Sequence, residues 1–360
     1  MVYPRVRARH RAASNGNGSA HVAAPQNGTA KNGAAKNGAA KPAPSAAPAA
    51  PRAFEPHYPA GASPFAALRP TPARASSFSN GLGEKLTAFA SRAGNGRWPN
   101  LPRAGVAARL QALARQPHLV YQDGINACGP AIATYLFAKH QTAKFVDYAI
   151  SLYDNGQGSF GSITVKGDGL FDLKPLEWRS ELGANAAGEI RSGLQLNEWL
   201  LDWMLLAALR RSEDRAHNAV VKFEGRPDDG ASGITWPGEM ERWLRDGVGF
   251  ARVTEETSVV RNKSLDHVRG LRPSASRIVV LLINVTVLEG GKKKSKSKGI
   301  GDSVQRAFPN HYCELEQAIA SDTSPVLVWT WGETGYPLPA LSEKEKWEEG
   351  YFGAFTCERT

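Results

Sequence analysis

Three residue types at telling positions carry the chemistry in this chain: a cysteine behind a turn, a glutamine shortly before it, and a histidine far downstream. The run Gln122-Asp123-Gly124-Ile125-Asn126-Ala127-Cys128-Gly129-Pro130-Ala131 leads from a polar turn into the apolar Ile132, Ala133, Tyr135, Leu136 and Phe137. Gly and Pro beside the cysteine signal a turn, and the Ala- and Leu-containing segment behind it reads as a helix, which places Cys128 at a helix N-terminus. Unpaired N–H groups and the positive end of the helix dipole favour thiolate over thiol there, which would make Cys128 a nucleophile. Gln122, six positions earlier, is close enough to fold back and aim its amide at the oxygen of a carbonyl attacked by that sulfur.

A thiol nucleophile needs a base. His10, His21 and His57 lie in a low-complexity tail, His118 precedes the nucleophile turn, and His140, His217 and His267 sit in polar stretches expected at the surface. His311 follows Pro309-Asn310 and opens the strand-like run His-Tyr-Cys-Glu-Leu-Glu, so it is the expected base. Three cysteines (Cys128, Cys313, Cys357) cannot all pair, and a chain of 360 residues has core enough without cross-links, so reduced thiols are expected.

On these residues the chain resembles the papain-like cysteine peptidase superfamily, in which a Gln stands a few residues before a Cys that opens the central helix. The Cys-Gly-Pro-Ala form is most similar to its bacterial branches, among them bacteriocin-processing peptidases and injected effectors. The resemblance covers about 117–145 and 275–335. It implies a catalytic His at a strand start and an orienting residue on the next antiparallel strand, before a Trp-Gly turn. Val326-Leu327-Val328-Trp329-Thr330-Trp331-Gly332 fits that layout but departs at the third position. Aligning Trp331-Gly332 puts Trp329 there, and a slip of one residue puts Thr330 there, with Asp322 and Glu333 as nearby carboxylates. The resemblance implies peptide or isopeptide cleavage in a host protein through a Cys128 thioester, with His311 as acid/base, Gln122 at the oxyanion and Thr330 third. A transglutaminase or deamidase on the same residues, or a non-catalytic host-binding module on the same fold, are the alternatives. No cofactor or metal is implied.

The elements that must position these groups form an α+β layout with helices first and strands last. Helical patterns fall at 84–93, 106–115, 128–140 and 143–153, the last stopped by Asp154-Asn155-Gly156. A possible strand at 162–166 precedes the strongest helix, 194–211, where Leu196, Trp199, Leu200 and Trp203 share a three- and four-residue spacing. Pro237–Arg245 reads as a helix capped by Thr235. Strands are expected at 277–285, 311–316 and 326–331. The 183 positions separating Cys128 from His311 exceed what papain needs, so 155–250 is expected to be an inserted helical lobe within a domain spanning 84–360.

Residues 1–83 hold ten Lys/Arg and one acid, Glu55, against 34 and 33 in the remainder. The net charge of +10 therefore describes the tail and argues against a nucleic-acid partner. This Ala-, Asn-Gly-, Ser- and Pro-rich segment repeats Ala-Lys-Asn-Gly-Ala at 30–34 and 35–39 and reads as disordered. Its composition resembles the leader of a bacterial effector delivered through a type III needle into a host cell, with a secretion chaperone as its partner. No apolar run is long enough to span a membrane. Five lysines between Lys292 and Lys298 read as a solvated loop tip, or else as a weak contact with an anionic membrane surface.

Overall fold

A computed structural model describes residues 80–122, 124–178, 194, 196–213, 222–227, 229–288 and 309–359. All belong to the unit Pro51–Thr360. Of the tail expected at 1–83, residues 1–79 lie outside the described residues, as does the Lys292–Lys298 run, while 80–83 form the start of a helix.

The chain is mixed α and β around an antiparallel sheet. Its helices are α1 (Asn80–Ala90), α2 (Arg103–Arg115), α3 (Cys128–His140), α4 (Thr142–Asn155), α5 (Leu196–Ser212), α6 (Pro237–Arg242), α7 (Leu265–Gly270), α8 (Val285–Leu288) and α9 (Lys344–Gly350). A hairpin, β1 (Gln157–Phe160) with β2 (Ile163–Lys166), stands apart from the main sheet. That sheet runs β3 (Arg252–Thr257), β8 (Tyr351–Glu358), β4 (Arg277–Ile283), β5 (His311–Leu315), β6 (Val326–Thr330), β7 (Glu333–Leu338). Every pairing in it is antiparallel, and β8 enters between β3 and β4.

Both faces of the sheet are packed, which explains why β4 is a nearly unbroken apolar run. Ile278, Val280 and Leu282 join Tyr312, Trp329 and Phe355 in the core shared with α1–α5. Val279, Leu281 and Ile283 join Cys313 and Val328 in a second core, under α7 (Leu265, Val268), α8 (Val287) and α9 (Trp347). Three helices thus interleave with the late strands, whereas the sequence suggested a clean order of helices then strands.

The stretch expected as an inserted lobe supplies α5 to the main core. From Trp199 to Arg210 that helix is buried all round, and only its first turn, at Asn197, is exposed. Asp202, fully buried within it, takes Nε and Nη2 of Arg109 at 2.7 and 3.3 Å and the Tyr121 N–H at 2.8 Å. This ties α2 and α5 to the segment entering the nucleophile turn. The α6 cap differs from expectation: Trp236, not Thr235, takes the position, and its N–H donates to Glu239 at 2.8 Å. Past Arg242 the helix widens into a π turn, Trp243–Val248. No helix among the described residues is long and apolar enough to cross a membrane.

Candidate functional site

Helix α3 begins at Cys128, as its Gly-Pro punctuation predicts. Pro130 lies in the first turn, where its missing N–H costs nothing, and no side chain caps Ala127. With no side-chain cap, the thiol sits among main-chain groups. Its Sγ donates to the Asn310 carbonyl at 3.3 Å, and the nearby main-chain N–H groups of Tyr312, Gly129 and Cys128 itself favour its charged form. The sulfur is thus held by the backbone at the residue preceding His311.

The His311 ring is 4 % exposed, and its Nε2 lies 2.7 Å from Thr330 Oγ1. Trp331 packs against the ring with centroids 5.1 Å apart. Thr330, rather than Trp329, is therefore the partner of the imidazole. Trp329 is committed elsewhere: it stacks on Tyr135 at 4.0 Å and its Nε1 donates to the His118 carbonyl at 2.8 Å. Asp322 is bound in fork fashion by Arg269, and Glu333 lies exposed at the start of β7. The one-residue slip has a backbone cause. Register shifts between Val328 and Thr330, and Trp331 takes φ 50° before Gly332 at φ 80°, so the strand turns a residue early.

No hydrogen bond joins Sγ to the imidazole. Strand alternation sends His311 and Cys313 to the face of α7–α9 and Tyr312 to the face of α3, where its hydroxyl donates to the Thr235 carbonyl at 3.1 Å. The sulfur meets β5 at its main chain, between these two faces. Burial raises the Cys128 pKa to about 11 against the lowering by its N–H donors, and burial lowers that of His311 to about 3. Desolvation thus opposes the helix dipole at Cys128 and favours the neutral thiol and the neutral imidazole, the reverse of the thiolate expected from the dipole alone.

Gln122 lies half-buried at the start of the turn, its carbonyl accepting the Ile125 N–H at 3.2 Å, and its amide makes no hydrogen bond among the described residues. The segment entering the turn is braced twice, by Asp202 on the Tyr121 N–H and by Trp329 on the His118 carbonyl.

A lid over the start of α3 was not legible in the sequence. A Cβ on Gly129 would lie 2.1 Å from Thr235 Oγ1, and one on Gly233 2.2 Å from the Asn126 carbonyl. The segment 232–235 therefore lies directly on the nucleophile turn, and the Thr235 hydroxyl is buried there without a partner. Only the two glycines hint at so close an approach.

The other described cysteines and two of the other histidines lie outside this pair. Cys313 and Cys357 are fully buried, their thiols pushed up by desolvation. His140 is half-buried against Phe250, not at the surface as the sequence suggested, and is pushed down to about 3 by burial. His267 bonds Tyr351 and Glu256 at 2.6 and 3.1 Å. Among the described residues no cluster of three His, Cys, Asp or Glu is arranged to hold a metal ion. Compared with protein families, curated proteins and solved structures, the chain matches none.

Proposed function

We propose that the chain is a papain-like thiol enzyme that cleaves a peptide or isopeptide bond of a protein substrate, held here in a closed resting form. One observation carries the reading: a helix-opening cysteine is bound to the main chain directly before a histidine whose Nε2 is taken by Thr330. That bond leaves Nδ1 as the nitrogen that exchanges the proton. On opening, Sγ gives up the Asn310 carbonyl and passes its proton to His311 as it attacks the substrate carbonyl carbon. The oxyanion is met by the Gln122 amide and the Cys128 N–H. The C–N bond breaks, the imidazolium returns the proton to the leaving amine, and water, deprotonated by His311, then hydrolyses the thioester. With a glutamine side chain as acyl donor the leaving group is ammonia, and the same thioester then gives deamidation with water or transglutamination with an amine. The proposed setting is a host cell entered from a bacterium, with a host protein as substrate.

The test uses biotinylated peptidyl chloromethyl ketones bearing Lys, Leu or Asp, followed by intact mass and peptide mapping. Labelling at Cys128 that is lost in His311→Ala and weakened in Thr330→Val supports the reading. Absence of Cys128 labelling by all three overturns it. A second reading, a non-catalytic binding module, is favoured by the neutral pair and the missing sulfur to imidazole bond. It predicts that neither thioester nor adduct forms at Cys128, and that Cys128→Ser leaves partner binding intact.

A further inference from the structure

Thr235, the residue that touches Gly129, leads directly into a cleft of about 620 Å³ between the start of α6 and the end of β3. Its size falls within the range of sites that take a side chain or small ligand. Among the described residues three carboxylates line it, from Glu213, Glu239 and Glu255, and no lysine or arginine does. Glu213 is joined from the rim by Arg242 at 2.7 Å, and Glu239 from beneath by Arg210 at 3.2 Å. Glu255 forms no ion pair among the described residues, and its Oε1 accepts the Thr257 hydroxyl at 2.6 Å. Trp236 is 44 % exposed and Val260 82 %, so an indole and an aliphatic side chain face the same space as the carboxylates.

We propose that this cleft is the subsite for a lysine or arginine side chain of the polypeptide presented to Cys128; this rests on the reading of Cys128 as a nucleophile. The chemistry matches group by group. A long basic side chain covers indole and valine with its methylene stem, and brings its cation over the aromatic face to the carboxylate of Glu255. An acidic side chain would meet the carboxylate of Glu255 with no compensating cation, since Arg242 and Arg210 are already engaged by Glu213 and Glu239. Position selects for the substrate: the cleft begins one residue from Thr235, whose carbonyl is bonded to the residue following His311. A side chain held there belongs to a segment whose backbone passes the start of α3.

The experiment separates recognition from chemistry by using the full chain with Cys128→Ala. Fluorescein-labelled Gly/Ala octapeptides differing only in one central residue (Lys, norleucine or Glu) are titrated by fluorescence anisotropy. The Lys peptide is expected to bind about tenfold more tightly than norleucine, with Glu weakest, and Glu255→Gln or Trp236→Ala should erase the difference between Lys and norleucine. Glu255→Gln changes an exposed strand residue and keeps its size, so it serves if Trp236→Ala fails to fold. Equal binding of Lys and norleucine, no binding of any peptide, or a preference untouched by Glu255→Gln each overturn the proposal. Lys preference dependent on Glu255, in a protein that never labels at Cys128, supports the cleft while the catalytic reading fails. Labelling at Cys128 with no Glu255-dependent preference does the reverse.

Discussion

If burial keeps Cys128 protonated, its reactivity has a definite pH signature. With a pKa of about 11 against an ordinary 9.0, the thiolate fraction at pH 8 falls from roughly 10⁻¹ to 10⁻³, about a hundredfold. In a background with Cys313→Ser and Cys357→Ser, iodoacetamide modification followed by intact mass between pH 6 and 10.5 should rise log-linearly without a plateau. The same chain unfolded in urea should react about a hundredfold faster at pH 8 and level off near pH 9. Because no hydrogen bond joins Sγ to the imidazole, His311→Ala should change the folded rate by less than about threefold. The sequence alone predicts the opposite: rapid alkylation near pH 6 that collapses without His311. A plateau below pH 8, or a folded rate above the unfolded one at pH 7, would refute the argument from burial and show that the opened, ion-paired site prevails in solution.

Asp202→Ala leaves the Arg109 guanidinium buried and the Tyr121 N–H unpaired, so urea denaturation should show a loss of about 3–5 kcal/mol. An Arg109→Met/Asp202→Leu double variant should recover most of it. Gly129→Ala drives a methyl into Thr235 and should cost about 1–3 kcal/mol by thermal unfolding, relieved when Thr235→Gly is added. Burial lifts Glu316 from 4.5 to about 7, helped by neighbouring Glu314. Its folded pKa thus exceeds the unfolded one, so its contribution is complete below pH 4.5 and is lost as pH rises to 7. Relative to wild type, Glu316→Gln should therefore gain stability steadily across that window, and a constant difference in unfolding free energy would count against it.

The parts of the fold written in local chemistry were legible. Gly129-Pro130 marks the start of α3, Gly156 at φ 75° ends α4 where an Asn-Gly pair foretold it, and Pro309-Asn310 precedes the strand that opens on His311. What depended on distant contacts was not. Edge strand β3 is polar and half exposed, with no alternation to betray it, and β8 is pinned by partners far away in sequence. Thr330 acquires its role from a backbone irregularity at Trp331, to which side-chain patterns are blind. The protonation state of Cys128 went unread for a similar reason. The helix dipole is local and visible, whereas the desolvation that defeats it is imposed by residues 232–235 and the start of β5, roughly one hundred and 180 positions on.

The placement of β8 between β3 and β4 sets the order in which this molecule can assemble. Glu358 pairs with both Arg252 and Arg277, and β8 leaves the ribosome after every other described strand. Until then β3 has no neighbour, and β4, the most apolar strand, offers an open edge while β5 waits on its other side. Closing loops of about eighty to one hundred residues is slow, so folding should be limited by docking of this strand, and the incomplete sheet is the species most exposed to aggregation. A nascent chain stalled just before Tyr351 would display that edge, and is the form in which a holding chaperone would find the most to bind.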